Sequence, residues 1–310
     1  MNRAGAPAQV CVASAPGRLE LSGSGGGPRL SVALDRRANC RIEAIPEGFE
    51  VESKESLTKL SARALGELLE RSPASLAVQA LAVLGAGSGL RVVTEWKLPA
   101  GSGIHGDAAL ALAATAAVSA ALGQAREPAA LVTLAREVAE RAGRRDDHGL
   151  HAALFGGVVL TRASAGGVEA ERVAVDPGRV DEALLVVDAG ALESPGALEG
   201  PGEAGAAEGN DTAAARIAEA LRTGRYLEVV ELVAGEPGQG GEGPGQRRIV
   251  DLVRAAGGAA RPLGAGRLVA VWAPPGERGP GPREAVQAAL QAAGLKPLAV
   301  RIDLRGLEID

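Results

Sequence analysis

Aromatic side chains are nearly absent: they make up 2% of the 310 residues, while 46% are hydrophobic. A core of that kind has to be assembled from Ala, Val and Leu, which suits helices lying close on a sheet. Cysteine is scarce as well. The two thiols, Cys11 and Cys40, make neither a disulfide framework nor a zinc site, and their apolar neighbours mark them as buried thiols of a reducing compartment. No basic block occurs, and 33 basic against 38 acidic residues leave a net charge of −5, which argues against nucleic acid as a partner. The first residues, MNRAGAPAQVCVASAPG, lack the unbroken apolar stretch of a signal peptide. No segment has the length and apolarity of a membrane span; even the alanine-rich run after Gly106 is short and carries Thr115 and Ser119. The expectation is a soluble cytoplasmic protein with no membrane partner, monomeric or homodimeric, long enough for two domains.

Glycine, by contrast, is plentiful, with 44 residues, and one glycine-rich stretch organises the chain. Lys97 to Leu122 reads KLPAGSGIHGDAALALAATAAVSAAL. An apolar strand, Leu90 to Trp96, runs into a loop of small residues and then into a helix that is apolar nearly all round. Strand, glycine loop and helix N-terminus form an arrangement that holds a phosphate, because the backbone approaches closely and the first helical N–H groups lack partners. Elsewhere the pattern predicts a β-rich opening, with strands over 8–22, 30–34, 38–45 and 49–53. Asp35-Arg36-Arg37 reads as a solvated turn. Helices are expected over 56–71, 74–84 and 128–141, and a strand over 158–161. Strands are then expected over 173–177 and 184–188, with helices from Asp211 and Tyr226. The segments 194–210 and 235–246 read as mobile loops, followed by helix 247–256, strand 268–272, helix 283–293 and strand 298–303. Arg301 and Asp303 are expected to be exposed.

Four segments, in order, resemble the GHMP kinase superfamily. Ala15-Pro16-Gly17-Arg18-Leu19 is similar to its first motif. Pro99 to Ile104 with the following helix is similar to its ATP-phosphate loop. Asp146-Asp147 leading to Phe155-Gly156-Gly157 resembles the segment that carries the catalytic aspartate. Leu263-Gly264-Ala265-Gly266 resembles the third, glycine-rich motif. Gly25-Gly26-Gly27 and Leu34-Asp35-Arg36 look like the heptose 7-phosphate kinase branch. The resemblance implies an α+β fold, with an S5-like domain over 1–168 and a ferredoxin-like domain over 169–310. It also implies transfer of the γ-phosphoryl of ATP, with Mg2+, to a sugar or sugar phosphate. Gly101, Ser102, Gly103, Ile104, His105, Gly106 and Asp107 would lie along the phosphates, with Gly264, Ala265 and Gly266 closing over them. Asp147, or alternatively Asp146, would act on the acceptor hydroxyl, and Arg18 would sit beside the acceptor.

The chain departs from that pattern where the loop's usual serines read His105-Gly106-Asp107, which sets a carboxylate where phosphates belong. The third motif stops at Arg267, a phosphate contact or a solvated strand end. The three histidines, His105, His148 and His151, all fall near these motifs. Together with Asp107 and Asp147 they are candidate ligands for Zn2+, Mn2+ or Fe2+. Two other readings therefore stand beside the kinase: a kinase-like fold serving as a binding or regulatory module, and a metal-dependent enzyme built on this His/Asp cluster.

Overall fold

A computed structural model describes residues 10–23, 27–96, 104, 106–124, 126–144, 146–192, 213–236, 243–263, 267–276 and 281–310. The chain opens on two long strands, β1 (Cys11–Ser22) and β2 (Arg29–Ala44), paired antiparallel. They are followed by β3 (Phe49–Ser53), β4 (Thr58–Ala62), α1 (Leu65–Arg71), α2 (Leu76–Val83), β5 (Leu90–Trp96), α3 (Gly106–Ala121), α4 (Pro128–Arg141), α5 (Asp147–Phe155), β6 (Val158–Ser164) and β7 (Gly167–Val173). The second half contains α6 (Pro177–Ala183), β8 (Leu184–Asp188), α7 (Ala213–Arg222), α8 (Tyr226–Ala234), α9 (Pro244–Ala255), β9 (Ala259–Pro262), β10 (Leu268–Trp272), α10 (Pro282–Ala292), β11 (Pro297–Leu298) and β12 (Glu308–Ile309).

Among the described residues the strands form two sheets. The larger runs β12-β1-β2-β5-β3-β4, with β6 paired to β2 and β7 to β6; the smaller runs β11-β8-β10-β9. The boundary expected at residue 168 falls inside β7, and β12 returns the C-terminal segment to the edge of β1. β2 is shared along its length: Ala38–Ala44 pairs with β5 and Arg29–Val32 with β6. The β1–β2 register shifts between Pro16 and Gly17, so the chain bends where the first glycine motif lies.

Each end of this hairpin feeds a different core. Ala13, Ala15, Ala38, Cys40 and Ile42 pack with α2, α3 and α4. Leu19, Leu21, Leu30, Val32 and Leu34 pack with α7, α8 and the inner face of the small sheet. The outer face of the small sheet is covered by Ile249 and Val253 of α9 and Val286 and Leu290 of α10. α3 is buried over almost its whole circumference. Alanine makes that feasible, since a side chain of one carbon lets neighbouring backbones close in. Its two buried hydroxyls are satisfied locally: Thr115 Oγ1 donates to the Ala111 carbonyl at 2.7 Å, and Ser119 Oγ to the Gln124 carbonyl at 2.5 Å.

Several expectations are corrected. The 56–71 segment is a strand and then a helix: Thr58–Ala62 pairs with β3, and Leu57 sits at φ 53° in the turn, 92% exposed, instead of on a helix face. Helix α9 begins at Pro244, capped by the Gly243 N–H donating to Gln246 Oε1 at 3.1 Å. Residues 237–242 of that expected loop, and the one at 194–210, lie outside the described residues. Pro177 opens a helix capped by Asp176 instead of ending a strand. Between β11 and β12 the bridge among the described residues joins Ile302 to Leu34, as the segment crosses from the small sheet to the large one. Asp303 is 3% exposed there and accepts from Arg37 Nη1 at 2.5 Å, whereas Arg301 is exposed. Residues 35–37 therefore continue β2, and Arg37 is held rather than solvated.

Candidate functional site

The end of β5, the bend in β1 and the start of α3 meet around Trp96. A Cβ on Gly17 would lie 2.2 Å from Trp96 Cη2 and 3.1 Å from Ile104 Cγ2, and one on Gly106 would lie 2.5 Å from the indole. Both glycines are thus required by the ring between them, and Trp96 is a packing residue. Ile104 is buried at 4% exposure. Gly101, Ser102, Gly103 and His105 lie outside the described residues, as do Gly264, Ala265 and Gly266.

Arg18 projects from β1 into the protein at 1% exposure. Its Nη2 donates to Asp146 Oδ1 at 2.7 Å, and its Nη1 donates to Glu20 Oε2 and to Ser31 Oγ, each at 3.2 Å. Burial opposes the charge, but Asp146 and then Glu20 outweigh it, so the guanidinium titrates above its ordinary range. Asp146 is the N-cap of α5, accepting from the Gly149 N–H at 3.0 Å. Gly149 has to be glycine, since a Cβ there would lie 2.2 Å from Asp146 Oδ2 and 2.8 Å from Arg18 Nε.

The aspartate facing Arg18 is therefore Asp146, not the favoured Asp147. The N-cap position turns Asp146 back over the helix end, while Asp147, in the first turn, points outward and accepts from Arg136 Nε at 2.9 Å. Asp107, in the first turn of α3, is ion-paired with Arg144. His148 Nδ1 lies 2.7 Å from Thr161 Oγ1, whose hydroxyl reaches the Arg29 carbonyl at 3.3 Å. Burial, and the charges of Arg29 and Arg18, lower its pKa to about 4. His151 stacks on Phe155 with ring centroids 6.2 Å apart. Among the described residues no three His, Cys, Asp or Glu side chains are placed to hold a metal ion. Asp107, Asp147, His148 and His151 are drawn to separate partners, two of them by arginines.

Sequence reasoning missed the acidic partner on β1. Glu20 is 3% exposed and meets Arg18 at 3.2 Å, Arg29 at 3.4 Å and Arg261 at 3.7 Å. Its signal was a charge between Leu19 and Leu21, both buried, in a strand covered on both faces. Arg261, from β9 of the small sheet, is also 3% exposed. Its Nη1 donates to Glu236 Oε2 at 3.1 Å and its Nη2 to the Gly23 carbonyl at 2.6 Å, while the Gly23 N–H donates to Glu236 Oε2 at 3.2 Å. The Gly23 peptide is held from both sides by groups of the small-sheet half. Arg267 is a strand-end residue paired with Asp188, through Nε at 3.1 Å and Nη2 at 2.8 Å.

No family model and no curated protein sequence matches the chain. Solved structures do. A D-glycero-D-manno-heptose 1-phosphate kinase from Bacteroides thetaiotaomicron superposes with TM-score 0.74 at 18% identity, covering 97% of this chain and 98% of that one. The Methanococcus jannaschii mevalonate kinase gives 0.69 at 15% identity, covering 97% and 100%. A mevalonate diphosphate decarboxylase from Staphylococcus aureus gives 0.67 at 14% identity, covering 98% of each chain. Likeness at such identities establishes a fold and leaves the chemistry to the site. With its two sheets and these end-to-end matches, the chain has the two-domain α+β fold of the GHMP kinases.

Proposed function

We propose that the protein is an ATP-dependent small-molecule kinase that transfers the γ-phosphoryl group to a hydroxyl of a sugar or sugar phosphate. The observation that carries this reading is the pair of buried Arg18 and partly exposed Asp146, at 2.7 Å, beside the glycines packed around Trp96. A carboxylate fixed by a helix cap and a guanidinium can orient an acceptor hydroxyl and receive its proton. Solved neighbours described as heptose 1-phosphate and mevalonate kinases support the assignment.

For the nucleotide the fit rests on α3, a helix of 16 residues whose N-terminal N–H groups favour phosphate oxygens. The charge of Asp107 in its first turn is partly offset by Arg144, which lessens the repulsion that a bare carboxylate would exert. The loop residues 101–103 and 105, with 264–266, complete the proposed nucleotide site. For Mg2+ the described residues offer no ready cluster, and no step is assigned to the metal. The proposed domains, 1–168 and 169–310, would bring nucleotide and acceptor together between them. Among the described residues no helix is long and apolar enough to cross a membrane; a cytoplasmic location and the absence of nucleic-acid partners belong to the same proposal.

Calorimetric titration with ATP and Mg2+, followed by a coupled assay over sugars and sugar phosphates, tests the reading. Asp146→Asn is expected to lower turnover at least ~10²-fold and Asp147→Asn to retain it. No nucleotide binding at millimolar concentration would sink the kinase assignment. It would favour the reading as a binding module, for which Asp107 at the start of α3 is the supporting observation.

A further inference from the structure

We infer that Glu20 fills, with the chain's own carboxylate, a pocket of arginines that would otherwise hold a phosphate, so that the acceptor beside Asp146 is a neutral polyol and not a phosphorylated one. This rests on the phosphotransfer reading above and chooses between its two acceptor classes. Guanidinium groups from three elements converge on Glu20: Arg18 of β1 at 3.2 Å, Arg29 of β2 at 3.4 Å and Arg261 of β9 at 3.7 Å. Several arginine forks around one anion is the geometry that recognises a phosphate dianion. Here the anion is built in.

The charges also balance. Arg18 gives its other Nη to Asp146, and Arg261 pairs with Glu236. Among the described residues the cluster thus sets Arg18, Arg29 and Arg261 against Glu20, Glu236 and Asp146. The side chains of Arg18, Glu20, Arg261 and Glu236 are no more than 4% exposed. Among the described residues the cluster holds no surplus cation, so a ligand phosphate would bring a further dianion into a largely buried, balanced group, and that is costly. The neighbouring arginines are committed as well: Arg136 to Asp147, Arg144 to Asp107 and Arg267 to Asp188. Ser31, Thr161 and the imidazole of His148 stand beside the cluster, and such groups suit hydroxyls.

Glu20→Ala empties the pocket, and its binding is read with inorganic phosphate by calorimetry on the full chain, with ADP present to occupy the proposed nucleotide site and needing no turnover. The variant is expected to bind phosphate at least about tenfold more tightly than the native protein, and its melting temperature should rise with phosphate while that of the native protein does not. Where Glu20→Ala fails to fold, the native protein decides, again with ADP present. It should bind neither phosphate nor glucose 6-phosphate saturably at millimolar concentration, and over an acceptor panel it should turn over neutral polyols in preference to their phosphate monoesters. Saturable binding of glucose 6-phosphate by the native protein, a preference for phosphorylated acceptors, or a folded Glu20→Ala variant with no gain in phosphate affinity would each overturn the inference. Absence of any phosphotransfer would end the kinase reading alone, leaving the phosphate titrations to decide the role of Glu20.

Discussion

His148 stands among charges that keep it neutral. Burial is the main cause, followed by the positive charges of Arg29 and Arg18, and the opposing pull of Asp146 and Glu20 is smaller. Its folded pKa, about 4, lies below the ordinary 6.5. Unfolding therefore takes up a proton between those values, and stability is lost as pH falls through that window. Urea midpoints should drop between pH about 7 and about 5, and His148→Gln should drop less over the same interval. His151, lowered by burial and by Arg136, contributes in the same direction and keeps the variant's slope from vanishing. A His148→Gln slope equal to that of the native protein would contradict this. Arg18 and its glycine motif were legible in the sequence because motif order and spacing survive without coordinates. The choice of Asp146 over Asp147 was not, since it depends on which of two adjacent carboxylates caps α5 and which faces Arg136. Glu20 and Arg261 were hidden for a similar reason: their meeting joins β1 to β9 across the two sheets, and no local pattern records it.

Helix α3 shows what an element gains from small side chains. Ala113 and Ala114 are 0% exposed, and the helix touches β1, β2, α2, α4 and α5. At these two positions a larger side chain would press on the surrounding elements. Ala113→Leu should cost about 1–3 kcal/mol by overpacking, seen as a lower urea midpoint, even though leucine is itself a good helix former. An unchanged midpoint would mean that the layer around α3 is loosely packed. This element was readable in advance, because an apolar run without polar periodicity can only be central. The 56–71 segment was misread because Leu57, Leu60, Leu65 and Leu68 fit a helical face by spacing. Pairing of Thr58–Ala62 with β3 overrides that spacing and leaves Leu57 in the turn.

At the scale of the molecule, two domains need not mean two independent folding units. β1 and β2 are continuous strands whose ends enter different cores, the first with Ala13, Ala15, Ala38 and Cys40, the second with Leu19, Leu21, Leu30 and Val32. The C-terminal segment is woven through the same hairpin: Asp303 accepts from Arg37, its N–H donates to the Ala33 carbonyl, and Asp310 exchanges backbone hydrogen bonds with Val12. Neither core can then open without pulling a strand out of the other, and the two should unfold in one transition. The chain carries its own reporters. Both cysteines, Cys11 and Cys40, lie in the first core, and burial with nearby Glu55 pushes the Cys40 thiol up to about 12, so it stays unreactive until exposed. Trp272 lies in the second core, and Trp96 packs against both, so a Trp96→Phe background leaves Trp272 as the reporter of the second core. Thiol labelling and tryptophan fluorescence, followed across a urea series, should give coincident midpoints. Labelling that runs ahead of the fluorescence change, or behind it, would show that the shared strands do not couple the two halves.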